Sequence, residues 1–273
     1  MAKAARQRAD QLAFEQGLAE SREQARRLIM AGKIAFAANT SGAPPLLVPK
    51  PGHAIPVNTV LTLLAPQQYV SRGAYKLLTI LEHFKLDVHG FVCLDAGAST
   101  GGFTDCLLQH GAARVYAVDV GKNQLHERLR ADSRVISLEG VNLRYAPQEL
   151  IPEAMDMIVA DVSFISLTLV LPACIRWLKA GGFAAVLIKP QFELGPGEAV
   201  KGVVRDEKAR QRAVDKILTF ADNNLGLICC GVLPAAIKGP KGNQEYMALF
   251  SLDRDRATPD PPKKFHRIHE QIE

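Results

Sequence analysis

From residue 91 onward, short apolar runs alternate with segments of helical periodicity, and this alternation constrains the fold more than any other feature. The runs are almost continuously apolar, which is typical of strands that are buried on both faces of a sheet. Strands that alternate with helices predict a doubly wound α/β fold with a mostly parallel sheet. The predicted strands cover residues 91–97, 114–120, 134–139, 156–164, 183–190, 226–235 and 245–252.

A glycine-rich turn follows the first predicted strand, in the sequence DAGASTGGFTD at residues 95–105. Glycines allow a backbone to approach a ligand closely, and ligands of such sheets bind beyond the carboxyl ends of the strands. Asp119 ends the next strand, where a carboxylate can hold the ribose hydroxyls of an adenosine. A nicotinamide oxidoreductase is an alternative, but that class favours GxGxxG and this turn reads GASTGG.

Four charged residues are predicted to meet at this edge of the sheet: Lys76, Asp161, Lys189 and Glu245. Asp161 and Lys189 each close an apolar run, a position where a solvated surface charge is not expected. Buried charges need partners, and two lysines with two carboxylates can compensate one another. The four are therefore either a catalytic group or an ion-pair network that only supports the fold.

Residues 8–36 predict a small unit of two helices ahead of the sheet. Gly17 stands where a C-cap glycine belongs, at the end of the first helix. Ser21 and Gln24 form a capping-box pattern at the start of the second helix. Short β-like runs follow at residues 46–48 and 54–64.

The first 67 residues carry eight lysines and arginines and four acidic residues, so most of the net charge of +5 lies there. A clustered cationic face binds nucleic-acid phosphate by counterion release, although a solvated pair of charged helices would have the same composition. The candidate RNA contacts in this region are Arg6, Arg8, Arg22, Arg26 and Lys33. Arg72, Lys238 and Lys241 are candidates of the same kind further along the chain.

The cysteines and the apolar runs exclude several classes of protein. The five cysteines are odd in number and form no CxxC pair, so neither a disulfide framework nor a metal site is expected. A reducing, cytoplasmic compartment is the simple interpretation. The N-terminal sequence lacks the apolar core of a secretory signal, and no run of about 18 apolar residues predicts a membrane span.

Several motifs resemble known families. The sequence LAESREQARRLIMAGKI resembles the S4-like RNA-binding domain, over residues 6 to about 65. The sequences SRGAYKL, DAGASTGGFTD, DVSFISL, LIKPQFE and KGPKGNQE resemble the FtsJ-like ribose 2′-O-methyltransferases with their Lys-Asp-Lys-Glu tetrad. Over residues 6–252 the chain is similar to the TlyA family, which joins the two domains. Two departures are the long, proline-rich stretch 37–53 and Ala74, where relatives often have a second glycine.

The resemblance implies a Rossmann-like, S-adenosylmethionine-dependent methyltransferase sheet with an antiparallel last strand, preceded by a small α+β domain. The implied reaction is methyl transfer to a ribose 2′-hydroxyl of ribosomal RNA, in 16S or 23S RNA or both, at a cytidine as in the family. The implied partners are ribosomal RNA or ribosomal subunits, with no membrane and no metal. The implied domains are residues 1–65, a linker at 66–70, a methyltransferase domain at 71–253 and a flexible tail at 254–273.

The resemblance also implies the roles of individual residues. Lys76, Asp161, Lys189 and Glu245 would be catalytic, with Lys189 deprotonating or steering the ribose hydroxyl and Asp161 orienting Lys189. A free lysine is protonated at neutral pH, and burial beside the second cation Lys76 would favour the neutral amine. The implied cofactor contacts are Asp95, Gly97, Ser99, Thr100, Gly101, Gly102, Phe103, Thr104, Asp119, Asn142 and Asp161.

Two further functions stay open at this point. One is an RNA-binding protein with an inactive methyltransferase fold, which the loss of a tetrad residue would indicate, but all four residues are present. The other is a haemolysin-like, membrane-acting protein, a label that the family often carries. The absence of a long basic amphipathic helix in the sequence argues against it.

Overall fold

The computed structural model describes residues 5–37, 46–64, 68–195 and 197–252. These residues fall into two compact units that divide between Gln68 and Tyr69. Each unit has hydrophobic core residues of its own. The predicted tail at 254–273, and residues 66 and 67 of the predicted linker, lie outside the described residues.

The first unit is a small α+β structure. Its elements are β1 (Arg6–Arg8), α1 (Ala9–Glu15), α2 (Arg22–Met30), β2 (Ile34–Phe36), β3 (Ala54–Pro56) and β4 (Leu61–Leu63). Strand β1 pairs with β3 and β2 pairs with β4, both antiparallel. Apolar side chains from both helices and from three of the strands form its core, including Leu12, Ile29, Ile34, Ile55 and Leu61.

The predicted start of α2 is confirmed in detail. Ser21 Oγ accepts a hydrogen bond from Gln24 N at 3.1 Å, and Gln24 Oε1 accepts one from Glu20 N at 2.6 Å. The side chains of the capping box thus satisfy two backbone donors at the helix start. Gly17 and Gly32, which follow α1 and α2, both have positive φ, as their positions in the sequence predict.

The β-like runs of the first unit are shorter than the sequence indicates. The run 54–64 forms two strands, because the chain turns after Pro56, where Thr59 N donates to Pro56 O. The run 46–48 contributes an isolated bridge between Leu47 and Ala35.

The second unit is the predicted α/β structure. Its elements are α3 (Ala74–His83), β5 (Val92–Ala96), α4 (Gly102–Gln109), β6 (Arg114–Asp119), α5 (Glu127–Arg130), β7 (Val135–Glu139), β8 (Met155–Ala160), α6 (Leu167–Cys174), β9 (Leu178–Ile188), α7 (Pro190–Glu193), α8 (Glu207–Leu225), β10 (Leu227–Pro234) and β11 (Tyr246–Leu252). Seven strands form one sheet in the order β10-β11-β9-β8-β5-β6-β7. Strand β11 is antiparallel to both of its neighbours, and the other neighbouring pairs are parallel. The predicted fold class and the antiparallel last strand are confirmed.

The strand order identifies where a ligand is expected to bind along the sheet. The chain continues from β5 to β6 and β7 on one side, and then returns to β8 and β9 on the other. The carboxyl end of β5 is therefore the topological switch point, where doubly wound sheets bind their ligands. The glycine-rich turn at 97–102 follows β5 at this point.

The sequence SRGAYKLL predicts a helix that begins near Ser71 and carries inward Tyr75, Leu78, Ile80 and Leu81. Helix α3 starts three residues later, at Ala74. Residues 71–73 form a turn instead, in which Ala74 N donates to Ser71 O. Lys76 lies on the buried face of α3, whereas Tyr75 and Leu78, which the sequence predicts to point inward, are half-buried. A lysine among buried apolar neighbours needs a partner, and Glu245 supplies one.

A buried carboxylate fixes the connection between β5 and α4. Asp95 Oδ2 accepts hydrogen bonds from Thr104 N at 2.9 Å and from Thr104 Oγ1 at 2.7 Å. Asp95 Oδ1 is buried and has no hydrogen-bond partner among the described residues. Burial raises the pKa of Asp95 to about 7, against the lowering effect of the Thr104 hydrogen bonds.

We predict that Asp95→Asn changes how folding stability depends on pH. The ordinary pKa of this carboxyl is 3.8, so the folded protein binds an extra proton between that value and about 7. Wild-type stability should therefore fall as the pH rises through this range, and level off above it. Relative to the Asp95→Asn variant, the wild-type free energy of unfolding should decrease by up to about 1.4 kcal/mol for each unit by which the pH rises.

Urea unfolding of both proteins at several pH values between about 4 and about 8 measures this difference. Asp87→Asn, at an exposed aspartate, is the control and should give a curve parallel to the wild type. A curve for Asp95→Asn that is also parallel to the wild type would show that Asp95 does not hold the extra proton.

Candidate active site

Four charged side chains meet at the carboxyl end of the central strands, and each comes from a different element. Asp161 follows β8, and Lys189 follows β9 at the N-cap of α7. Glu245 precedes β11, which enters the sheet at this edge because it runs antiparallel. Lys76 reaches the same place from α3. The structure thus brings together the four residues of the predicted tetrad.

The tetrad is a chain of alternating charges. Lys76 Nζ lies 2.6 Å from Glu245 Oε2 and 3.8 Å from Asp161 Oδ2. Lys189 Nζ lies 2.5 Å from Asp161 Oδ1 and donates a hydrogen bond to Ser163 Oγ at 2.7 Å. Asp161 Oδ1 accepts no aligned hydrogen bond from the described residues, so its contact with Lys189 is mainly electrostatic.

Burial makes this pairing necessary. The two lysine side chains are each 8% exposed, Glu245 is fully buried, and Asp161 keeps 22% of its side chain exposed. Buried ions lose their hydration, and removal of one partner of such a pair typically costs about 3–5 kcal/mol. Two positive and two negative charges compensate one another, and Asp161 is the member most open to a ligand.

The glycine-rich turn packs backbone against backbone beside the tetrad. Gly97 has a φ of +85°, and a Cβ at this position would lie 2.8 Å from Asp161 O. A Cβ at Gly102 would lie 2.3 Å from Ser71 Oγ, in the turn that precedes α3. Side chains at these two positions would push apart the segments that carry Asp161 and Lys76, so glycine sets the spacing of the site.

Asp119 holds the other side of the turn from the end of β6. Its Oδ2 accepts a hydrogen bond from Ser99 N at 2.8 Å, and its Oδ1 accepts one from Gly121 N at 2.7 Å. Ser99 has a φ of +48° and is exposed, as is Thr100. Gly101 has a φ of +95° and is the N-cap residue of α4. The half-buried Asp119 carboxylate thus faces the glycine-rich turn at the switch point.

Three further predicted cofactor residues are engaged locally. Asn142 is exposed, and its side chain caps a 3-10 helix by accepting a hydrogen bond from Arg144 N. Phe103 is buried in the core, and Thr104 is buried with its hydroxyl on Asp95. Contact of these three side chains with a cofactor stays a prediction.

Sequence reasoning missed Glu193, a buried carboxylate that joins the two loops of the site. Glu193 Oε1 accepts a hydrogen bond from Leu167 N at 2.8 Å, and Oε2 accepts one from Ser166 Oγ at 2.5 Å. Lys216 Nζ donates to Glu193 O at 2.6 Å. Glu193 therefore ties the segment after Asp161 to the segment after Lys189. The acidic residue in LIKPQFE was visible in the sequence, but its partners were not.

An exposed aromatic ring lies close to the tetrad. Phe164 is 89% exposed and has a φ of +63°, and its ring centroid lies 5.2 Å from that of Phe192. Lys189 Nζ lies 5.9 Å from the Phe192 centroid. Positive φ at a bulky residue and full exposure of its ring are both unfavourable, a combination typical of a binding surface.

Two of the predicted RNA-binding arginines share one buried carboxylate in the first unit. Arg8 lies 2.8 Å and Arg22 lies 3.5 Å from Asp10 Oδ2. The hydrogen-bonded Arg8 guanidinium holds the pKa of Asp10 below its ordinary value. Both arginines remain largely exposed beyond this contact, so Asp10 fixes their position without covering them.

The other predicted RNA-binding residues lie on the surfaces of the two units. Arg6 Nη2 donates a hydrogen bond to Ala54 O at 2.7 Å. Lys33 is half-buried, and the exposed members of this set are Arg26 in the first unit and Arg72, Lys238 and Lys241 in the second.

No described helix is long and apolar enough to cross a membrane. Within the same residues, no group of histidine, cysteine, aspartate and glutamate side chains is arranged to hold a metal ion.

Comparisons with known proteins agree with this geometry. Residues 69–252 match the FtsJ-like methyltransferase family, and residues 7–35 match the S4 domain. The 16S/23S rRNA (cytidine-2′-O)-methyltransferase TlyA of Mycobacterium tuberculosis is 44% identical, over 93% of each chain. Hemolysin A of Brachyspira hyodysenteriae is 38% identical, over 90% of this chain and 100% of the relative.

A solved structure is also similar over most of its length. The solved structure is that of a protein from Streptococcus thermophilus that carries the name hemolysin. It aligns with a TM-score of 0.69 and 41% identity, over 92% of this chain and 90% of the solved chain. The same family is indicated by the family matches, by the identity over nearly the whole chain and by the geometry of the tetrad. The chain therefore belongs to the FtsJ-like methyltransferases, in the TlyA family, with an S4 domain at its N-terminal end.

Proposed function

We propose that this chain transfers a methyl group from S-adenosylmethionine to a ribose 2′-hydroxyl of ribosomal RNA, at a cytidine of 16S or 23S RNA or both. The observation that carries the proposal is the buried chain of Lys76, Asp161, Lys189 and Glu245 beside the glycine-rich turn. Relatives named for this reaction support the choice of substrate. The cytoplasm, where bacterial ribosomal RNA lies, is the proposed place of action.

The residues around the turn fit S-adenosylmethionine. The half-buried Asp119 carboxylate is placed to accept the ribose hydroxyls, and Gly97 and Gly101 add no side chain at their two positions in the turn. The exposed Ser99 and Thr100 would complete the contact. The bound cofactor supplies a methyl group that its positively charged sulfur already activates. The protein therefore needs to position and deprotonate the acceptor.

We assign to Lys189 the contact with the 2′-hydroxyl. Ser163 and Asp161 hold Lys189 Nζ from two sides, and this restricts where the amine can point. The hydroxyl oxygen forms the new bond to carbon and loses its proton. Lys189 first releases its own proton to solvent, and it then orients the lone pair of this oxygen and accepts the hydroxyl proton. Lys76, held by Glu245, keeps Asp161 compensated when Lys189 turns to the substrate.

We further propose a division of labour along the chain. Residues 1–65 would be the S4-like RNA-binding domain. Its contacts with RNA phosphates would come from Arg6, Arg8, Arg22, Arg26 and Lys33. Residues 71–253 would be the methyltransferase domain. Arg72, Lys238 and Lys241 would hold RNA near the reacting ribose.

We predict that Lys189→Ala abolishes methylation, with a loss of about 100-fold or more, the usual scale for a proton-transfer group. The variant should still fold, with some loss of stability, because Asp161 keeps Lys76 as its partner. The assay uses tritiated S-adenosylmethionine and undermethylated ribosomal subunits. A 2′-O-methyl group blocks alkaline cleavage of the adjacent RNA bond, so alkali resistance at the labelled nucleotide identifies the product. Lys179→Ala, an exposed lysine near the start of β9, is the matched control.

Label that depends on Lys189 and resists alkali would support both the reaction and the substrate. If the wild type binds S-adenosylmethionine but leaves intact and dissociated subunits unlabelled, this substrate is wrong. An RNA-binding protein without this activity would then be favoured.

We predict that Phe164→Ala weakens action on RNA about 10-fold in kcat/KM, because stacking of a base on an aromatic ring is worth about 1–3 kcal/mol. The exposed ring has little structural role, so the melting temperature and S-adenosylmethionine binding should not fall. Phe164→Tyr keeps the ring and should retain activity. Equal kcat/KM for Phe164→Ala and the wild type would exclude a stacking role.

A further inference from the structure

Two lysine–glycine turns lie against each other in the second unit. Lys201 and Gly202 have φ values of +52° and +79°, and Lys241 and Gly242 have +61° and +83°. A Cβ added to Gly202 would lie 3.3 Å from Lys241 Nζ. The lysine side chain of the second turn therefore passes close to the backbone of the first.

Lysine is an unfavourable residue in this left-handed conformation, where glycine, asparagine and aspartate are common. Lys201 and Lys241 are both exposed, so burial does not hold them there. None of the ion pairs between described residues includes either lysine. Backbone strain that is not offset by an ion pair with a described residue is typical of a functional site.

A buried asparagine joins the two turns. Asn243, which is 3% exposed, donates from Nδ2 to Gly202 O at 2.8 Å and accepts at Oδ1 from Val204 N at 3.0 Å. Its backbone carbonyl accepts from Gly239 N at 2.9 Å. The Asn243 side chain is hydrogen-bonded to the first turn and its backbone to the second, so this residue fixes the two turns relative to each other.

This arrangement borders the active site. A Cβ at Gly239 would lie 2.1 Å from Glu245 Oε1, so the loop that carries Lys241 packs directly on a tetrad carboxylate. Two more exposed cations flank the residues that Asn243 holds: Arg205 follows Val204, and Lys238 precedes Gly239. The nearby carboxylate of Asp206 is engaged as the N-cap of α8, accepting from Ala209 N at 2.8 Å.

We infer that these joined turns form a phosphate-binding rim, made of Lys201, Arg205, Lys238 and Lys241, that holds the RNA backbone beside the reacting ribose. The inference rests on the proposed function and adds to it the first turn and the asparagine that sets its position. Four exposed cations on a fixed backbone neutralise phosphates and release counterions, which makes binding dependent on salt. Because phosphates carry no base identity, the rim positions RNA without selecting its sequence.

The test compares two double variants that remove equal charge. Lys201→Gln with Lys241→Gln alters the rim. Lys85→Gln with Lys208→Gln is the control, because both lysines are exposed and Lys85 also has positive φ, at +48°. The probe is undermethylated ribosomal subunits, with affinity measured over a range of salt. The rim variant should lower the slope of log affinity against log salt by about two, and the control should not. Binding of S-adenosylmethionine should be unchanged in both.

A single variant separates function from structure. Lys201→Gly removes the unfavourable side chain, so its melting temperature should rise while its affinity for subunits falls. A purely structural turn would become more stable with no loss of affinity, and that result would overturn the rim.

The outcomes also separate the rim from the proposed reaction. If the wild type methylates subunits and the rim variant binds them as the control does, the rim is wrong and the reaction stands. If the wild type binds without methylating, and the salt slope falls only in the rim variant, the rim stands and the reaction is wrong. If the wild type neither binds nor methylates subunits, both are overturned.

Discussion

The alternating ion-pair chain from Glu245 through Lys76 and Asp161 to Lys189 is the constraint on which the rest of the site depends. Each charge is costly to bury alone, so each of the four depends on its neighbours for compensation. They come from one helix and from the ends of three strands. The sheet order, the position of α3 and the direction of β11 must therefore all be correct before the charges can compensate.

Close packing of the backbone holds this chain at the correct spacing. Gly97 lies against Asp161 O, Gly102 against the turn before α3, and Gly239 against Glu245. In each case a side chain would move one member of the tetrad. Glu193 completes the arrangement by tying the segments that follow Asp161 and Lys189 to one another. The same loops that fix the charges also present Phe164 and the lysine–glycine turns to solvent.

Much of the fold could be predicted from local patterns, because the physical causes are local. Continuous apolar runs located the strands of the sheet to within a few residues at most of their ends, and the Ser21–Gln24 capping box located the start of α2. Boundaries were less exact where a turn competes with a regular element. Residues 71–73 form a turn before α3, and the turn between Pro56 and Thr59 divides the run 54–64 into two strands.

The sequence by itself determined which chemistry the chain carries: a glycine-rich turn with an acidic strand end, two lysines and two carboxylates at the ends of apolar runs, and a basic first unit. Only the tertiary structure decided which charges pair. It also decided that Asp10 fixes two arginines, that Glu193 joins two loops and that Asn243 joins two turns. The reason is that hydrogen bonds and ion pairs between residues distant in the chain depend on how the elements pack, and hydrophobic periodicity carries no information about such partners.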